Sequence, residues 1–171
     1  MKLVLCVTVV AFLTILAAAA KAPEPEPKNM EEWALTLDRE SVHKAVLIHE
    51  RDPLGDEAKD IRPILMVHFE PIHYDVCLDQ IGFLLETKNK AHEAVFWQVV
   101  FGSGDYFEGN PDQQADRFAY MLAGLQSGLR AYENILLKKP KVRLQALDDL
   151  VALRDQGRLL EYVKAKPCKK S

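Results

Sequence analysis

Between residues 110 and 140 the chain carries one apolar pattern that leaves little freedom in how it folds. Ala115, Phe118, Leu122, Leu125, Leu129, Tyr132 and Leu136 recur at intervals of three and four, the spacing of a single buried stripe on an α-helix. Asn110, Pro111 and Gln113 stand as N-cap, first and third helical residues in a capping-box-like arrangement. Pro140 closes the run, because its ring and missing N–H cannot continue a helix. Gly124 and Gly128 lie one turn apart on this helix and each costs about 1 kcal/mol of helix propensity. What such glycines permit is the close approach of another backbone, so the sequence predicts an all-α chain packed around this element.

The remaining segments fit that frame. Trp33, Leu37, Val42, Ala45, Leu47 and Ile48 make an imperfect helical stripe, in one helix or two short ones, ended by the RDPLG turn at 51–55. Asp56 is placed to cap a second helix bearing Ala58, Ile61, Ile64, Leu65 and His68, and Pro63 is tolerated if that helix starts near Ile61. Ile72, Tyr74, Val76 and Leu78 then alternate with His73, Asp75, Cys77 and Asp79, which is strand period, before Cys77, Ile81, Leu84 and Leu85 return to helix period. The expectation is a short extended stretch entering a helix. The apolar run 91–101 suits a central helix or a core strand, and its helical neighbours favour the helix; Gly102, Ser103 and Gly104 read as a kink or turn after it. A last helix carries Leu144, Leu147, Leu150 and Val151, with Gly157 as its C-terminal cap and a short apolar LLEYV turn beyond. The sum is one compact domain of about five to seven helices over residues 30–165, followed by a basic tail at 166–171.

Gly128, Tyr132, Ile135 and Pro140 also stand at the relative spacing of the small residue, aromatic, apolar residue and terminal proline in the second helix of a tetratricopeptide repeat, which this segment resembles. The preceding half of such a repeat is not matched, with Asp116 and Ala119 at the places of its glycine and tyrosine, and no second copy follows. The resemblance implies helix-hairpin packing.

Upstream, Lys2 precedes the uncharged residues 3–20, which end in small side chains with Ala18 and Ala20 at positions −3 and −1 of a cleavage site. This is the pattern of a signal peptide removed after Ala20, leaving a secreted or periplasmic product. An uncleaved membrane anchor is the alternative, since the stretch is near the shortest that spans a bilayer. Residues 21–29 form a Pro/Glu-rich spacer of extended geometry. Hydrophobic residues at 49% and charged ones at 27% exclude disordered and polytopic membrane classes. The net charge of −3, more negative still once Lys2 leaves, argues against nucleic acid as a partner.

Chemistry is less sharply written. His68, Glu70 and His73, with Asp75 and Cys77 nearby, are the densest set of metal-ligating or acid–base side chains, and they carry the alternative of a secreted metal-dependent or acid–base enzyme. Their spacing is not that of a metal helix: His68 and His73 point about 140° apart on a helix, so only a break at Pro71 brings them together. His92 and Glu93 lack a second histidine four residues on. No nucleophile elbow, P-loop or dinucleotide glycine pattern occurs, and no cofactor is called for. The preferred expectation is therefore a helical protein-interaction or scaffold module. Trp97 and Phe101 are assigned to its core, and Tyr106 and Phe107 are the candidate partner-binding aromatics. Cys77 and Cys168 remain after leader removal, an even number suited to one disulfide in an oxidising compartment. Intact-mass analysis of protein purified from its native host is expected to show a chain beginning at Lys21; retention of residues 1–20 would establish the anchor instead.

Overall fold

Four helices begin where a short polar side chain accepts an orphan backbone N–H: Asn29 from Glu32, Asp38 from Ser41, Asn89 from Ala91, and Asp116 from Phe118 and Ala119. The computed structural model describes residues 29–166 and residue 168. The leader and residues 21–28 of the spacer lie outside the described residues, as does most of the basic tail. In chain order the helices are α1 (Met30–Leu35), α2 (Arg39–Arg51), α3 (Asp56–Phe69), α4 (Leu78–Ile81), α5 (Phe83–Glu86), α6 (Lys90–Gly109), α7 (Arg117–Lys138), α8 (Gln145–Asp155) and α9 (Leu159–Ala165). Among the described residues there is no strand, and the fold is all-α. The nine helices among the described residues exceed the expected number because α1, α4, α5 and α9 are each a turn or two long.

Several boundaries differ from those the sequence suggests. The long helix starts at Arg117, not beside Asn110: Asp116 accepts from Phe118 N at 3.0 Å and Ala119 N at 3.2 Å, and Pro111–Gln113 forms a separate 3-10 turn. Pro63 lies inside α3 rather than in its first turn, and its exposed ring leaves only the bond it would donate to Lys59 unmade. Gly55, not Asp56, is the N-cap of α3, and Asp56 pairs with Lys59 instead. At the C-terminal end of α8 the expected glycine cap is present: Gly157 has φ +71°, its N–H reaches Arg154 O, and Arg158 N–H reaches Leu153 O at 2.8 Å.

The largest correction concerns Gly102, Ser103 and Gly104. They make no kink or turn; they lie within α6, which continues unbroken to Gly109. Their smallness serves packing. A Cβ on Gly102 would stand 2.6 Å from Ser127 Cβ, one on Gly124 would stand 2.5 Å from the Val99 carbonyl oxygen, and one on Gly128 would strike the Val99 side chain. α6 and α7 thus form an antiparallel hairpin whose backbones approach too closely for larger residues.

This hairpin divides the core. On one side Val95, Val99, Met121, Leu125, Leu129, Tyr132 and Ile135 pack against Ile81 and Leu84 of α4 and α5, Leu147 and Leu150 of α8, and Leu159 and Val163 of α9. On the other, Phe101 of α6 meets Val42 and Val46 of α2 with Leu65 and Phe69 of α3. Because the wall facing Gly124 is main chain and cannot swing aside, Gly124→Ala is expected to lower stability by about 1–3 kcal/mol, despite the roughly 1 kcal/mol that alanine gains in helix propensity. A helical circular-dichroism melt reads this directly, and an unchanged or raised Tm would show that the helices separate without cost.

Candidate functional site

The structure does not bring His68, Glu70 and His73 together. His68 sits in the last turn of α3 with its ring turned inward: Nδ1 donates to the Ala34 carbonyl at 3.0 Å and Nε2 to Glu108 Oε1 at 3.0 Å. Both partners only accept, so both nitrogens carry protons, and the bond to Glu108 pulls the imidazole pKa above its ordinary value. Glu70 ends α3, Pro71 turns the chain, and His73 follows exposed. Among the described residues no three or more His, Cys, Asp and Glu side chains are placed to hold a metal ion.

The other histidines have structural partners. His92 links Thr87 Oγ1 to the Val142 carbonyl, and His43 Nδ1 lies 2.9 Å from Asp105 Oδ2. His49 is wholly buried; its Nδ1 donates to Gln98 Oε1 at 2.6 Å and its Nε2 accepts from Arg62 Nε at 3.2 Å. Burial is the main cause that pushes the His49 pKa down to about 4.

Among the described residues, concavities open on two sides of α6. The first, of about 320 Å³, lies between α2, α6 and α7 and sets the charged side chains of Arg39, Glu50, Asp105 and Arg130 beside Val46, Leu47 and Ala123. Arg39 grips Asp105 through its carboxylate at 2.6 Å and its carbonyl at 2.7 Å, and His43 shares that carboxylate. Arg130 makes a bidentate pair with Glu50 at 2.7 and 2.8 Å, and Glu50 also accepts from Ser127 Oγ at 2.5 Å. Gln98 Nε2 donates to the same Ser127 at 2.7 Å, which completes a chain from Arg62 through His49, Gln98, Ser127 and Glu50 to Arg130. Every charged side chain lining this cleft is paired with another of its liners, although Arg39 Nε is buried without a partner among the described residues. Tyr106 lines the cleft with its hydroxyl on Gln113.

The second concavity is an apolar groove of about 550 Å³, walled by Met66, Val67 and Phe69 of α3 and by Ile72, Tyr74 and Val76, with Trp97, Val100 and Phe101 of α6 as its floor. Among the described residues Glu70 is its only charged liner. Trp97 stacks on Phe101 at 5.9 Å, and Phe101 stacks on Phe69 at 6.1 Å. The Tyr74 hydroxyl donates to the Val100 carbonyl at 3.1 Å, and burial raises its phenol pKa out of reach of ordinary pH. Gly104 makes this wall possible, since a Cβ there would lie 2.6 Å from the Phe69 ring and 2.8 Å from the Tyr74 oxygen. Phe107 stands behind the groove, packed on Tyr74 and Tyr120.

Tyr106 and Phe107 therefore do not form a joint surface: as neighbours on α6 they face different ways, one to the first cleft and one to the core. Trp97, assigned to the core on its sequence, is half-buried and lies open to the groove. The one signal that marks this wall is the alternation of Ile72, Tyr74 and Val76. Cys77 and Cys168 are joined as a disulfide, with Cα atoms 5.2 Å apart across 91 residues of sequence. Comparison with known proteins adds no relative: no family model, no curated protein and no solved structure matches the chain.

The two shifted histidines act oppositely on stability. Between the ordinary histidine value of 6.5 and about 4, the unfolded chain takes up a proton at His49 that the folded chain refuses, so stability falls as pH falls through that window. His68 contributes fully below its ordinary value and loses that contribution as pH rises through its raised pKa. His49→Asn, which can keep a donor to Gln98 without titrating, is expected to flatten the acid limb by up to about 3 kcal/mol. Urea midpoints measured across the acid range test this, and an unaltered slope would place the titrating group elsewhere.

Proposed function

We propose that the protein is an exported interaction module whose partner engages the apolar groove between α3, residues 72–76 and α6. The observation that carries this is the groove itself. Large apolar side chains, among them Met66 at 42% exposure, stay accessible together in one concavity of ligand-binding size on a helical floor. Export is supported by the charged start, apolar run and small residues of positions 2–20, and by the disulfide between Cys77 and Cys168, a bond that persists in oxidising compartments. The α6 and α7 hairpin suits the limited tetratricopeptide resemblance of its second helix, a class of packing used by protein-binding scaffolds. No helix among the described residues is long and apolar enough to cross a membrane, so tethering, where it occurs, rests on the leader.

A photo-crosslinker at Met66, with another at the 84%-exposed Leu137 of α7 as control, tests the reading in extract from the native envelope or medium. A discrete adduct is expected at position 66 and not at 137, reduced at least about tenfold by Trp97→Ala with the helical spectrum retained, and unaffected by Tyr106→Ala. Equal labelling at both positions, or a groove adduct indifferent to Trp97, would overturn it.

A further inference from the structure

After the bend at Ile72, residues 73–77 run to α4 without helix or turn, Cys77 in extended backbone (φ −76°, ψ 94°), and among the described residues they belong to no sheet. Ile72, Tyr74 and Val76 face the groove, and His73 and Asp75 are exposed on the other side, so the segment has the two-sided order of a strand. Part of its backbone is satisfied. Tyr74 N–H bonds to Ile72 O at 3.0 Å, Cys77 N–H reaches Met121 Sδ at 3.4 Å, and Cys77 O accepts from Gln80 N at 3.0 Å.

In an extended run the N–H and C=O of alternate residues share an edge. The edge opposite Asp75 carries the Tyr74 carbonyl and both the N–H and the carbonyl of Val76, and none of these three has a protein partner among the described residues. A strand laid along that edge would place every second side chain on the same face as Ile72, Tyr74 and Val76, which is the groove.

We propose that the occupant of the groove is an extended peptide segment that adds to residues 74–76 as a β-strand and inserts alternate apolar side chains beside Trp97. Charge supports a particular partner. Among the described residues the only charged liner is Glu70, and Asp75 lies on the outer face of the segment, so the fitting peptide alternates apolar residues with Lys or Arg. This rests on the groove being the binding site, and it adds the partner's conformation and chemistry.

The probe is a displayed library of random peptides about ten residues long, panned on the full chain and counter-selected on Trp97→Ala. Enrichment of sequences with apolar residues at every second position and basic residues between them is expected. In the best such peptide, made synthetically, single N-methylation of backbone amides should weaken binding by about tenfold, roughly the worth of one hydrogen bond, at alternate positions only. Apolar spacing of three and four, or indifference to N-methylation, would overturn strand addition while leaving the groove as the site. Absence of any Trp97-dependent enrichment would overturn both.

Discussion

The close contact between α6 and α7 is the constraint on which the other features rest. Gly102 meets Ser127, and Gly124 meets Ser103 and the Val99 carbonyl, at separations that admit no larger side chain. Ser103 Oγ is buried without a partner, so the small residue there is selected by space and not by hydrogen bonding. The approach has a further consequence: it brings Gln98 of α6 within 2.7 Å of Ser127 on α7. Gln98 and His49 are wholly buried, and a buried polar group left unsatisfied costs about 1–3 kcal/mol. The chain from Arg62 to Arg130 meets that demand, and in doing so it joins α2, α3, α6 and α7 in one register.

That closure distinguishes the two concavities beside α6, one lined by charges already paired with each other and the other by exposed apolar side chains. In the first Asp105 is already held by Arg39 and His43, and Glu50 by Arg130 and Ser127. A ligand that takes either carboxylate competes with those bonds. Across α6 the position is reversed: Trp97, Met66, Ile72 and Val76 keep apolar surface in water, at about 25 cal/mol for each Å² that a partner would cover. Phe101, Phe69 and Phe107 lie behind this surface in ring contacts, so the floor and inner wall are fixed before a partner arrives.

Periodicity made the helices legible, and context decided the rest. The stripe from Phe118 to Leu136 is visible in sequence because it is local; the true start of α7 is not, because Asn110 and Asp116 are equally competent caps and only the path of the chain selects Asp116. Gly102 and Gly104 have the composition of a turn. They lie inside a helix because Ser127 lies against the first, and Phe69 and Tyr74 against the second, and all three lie far away in sequence. The same non-locality hid the site. Trp97 looks like core on an all-round apolar helix and becomes a groove floor only because α3 ends at Phe69 and Pro71 diverts the following segment alongside it. Spacing alone leaves His68 and His73 open, because a break at Pro71 is the one way to join them; the helix does end there, yet one ring turns inward to Glu108 and the other is exposed.

The extended segment is unusually well secured for a stretch without secondary structure. At one end Ile72 N–H bonds to Phe69 O in the turn that leaves α3; in its middle the Tyr74 hydroxyl is tied to Val100; at its other end Cys77 is bonded to Cys168. Gln80, just beyond, donates to the Val163 and Lys166 carbonyls and so holds the same C-terminal region. Fixing one backbone residue costs about 1–2 kcal/mol of conformational entropy at ordinary temperature. In residues 72–77 that cost is met during folding and not on binding, so whatever strand joins the segment need only order itself. The free edge at Tyr74 and Val76 thus belongs to a preorganised wall, and the disulfide and the Gly104 notch that admits Tyr74 are parts of the same device.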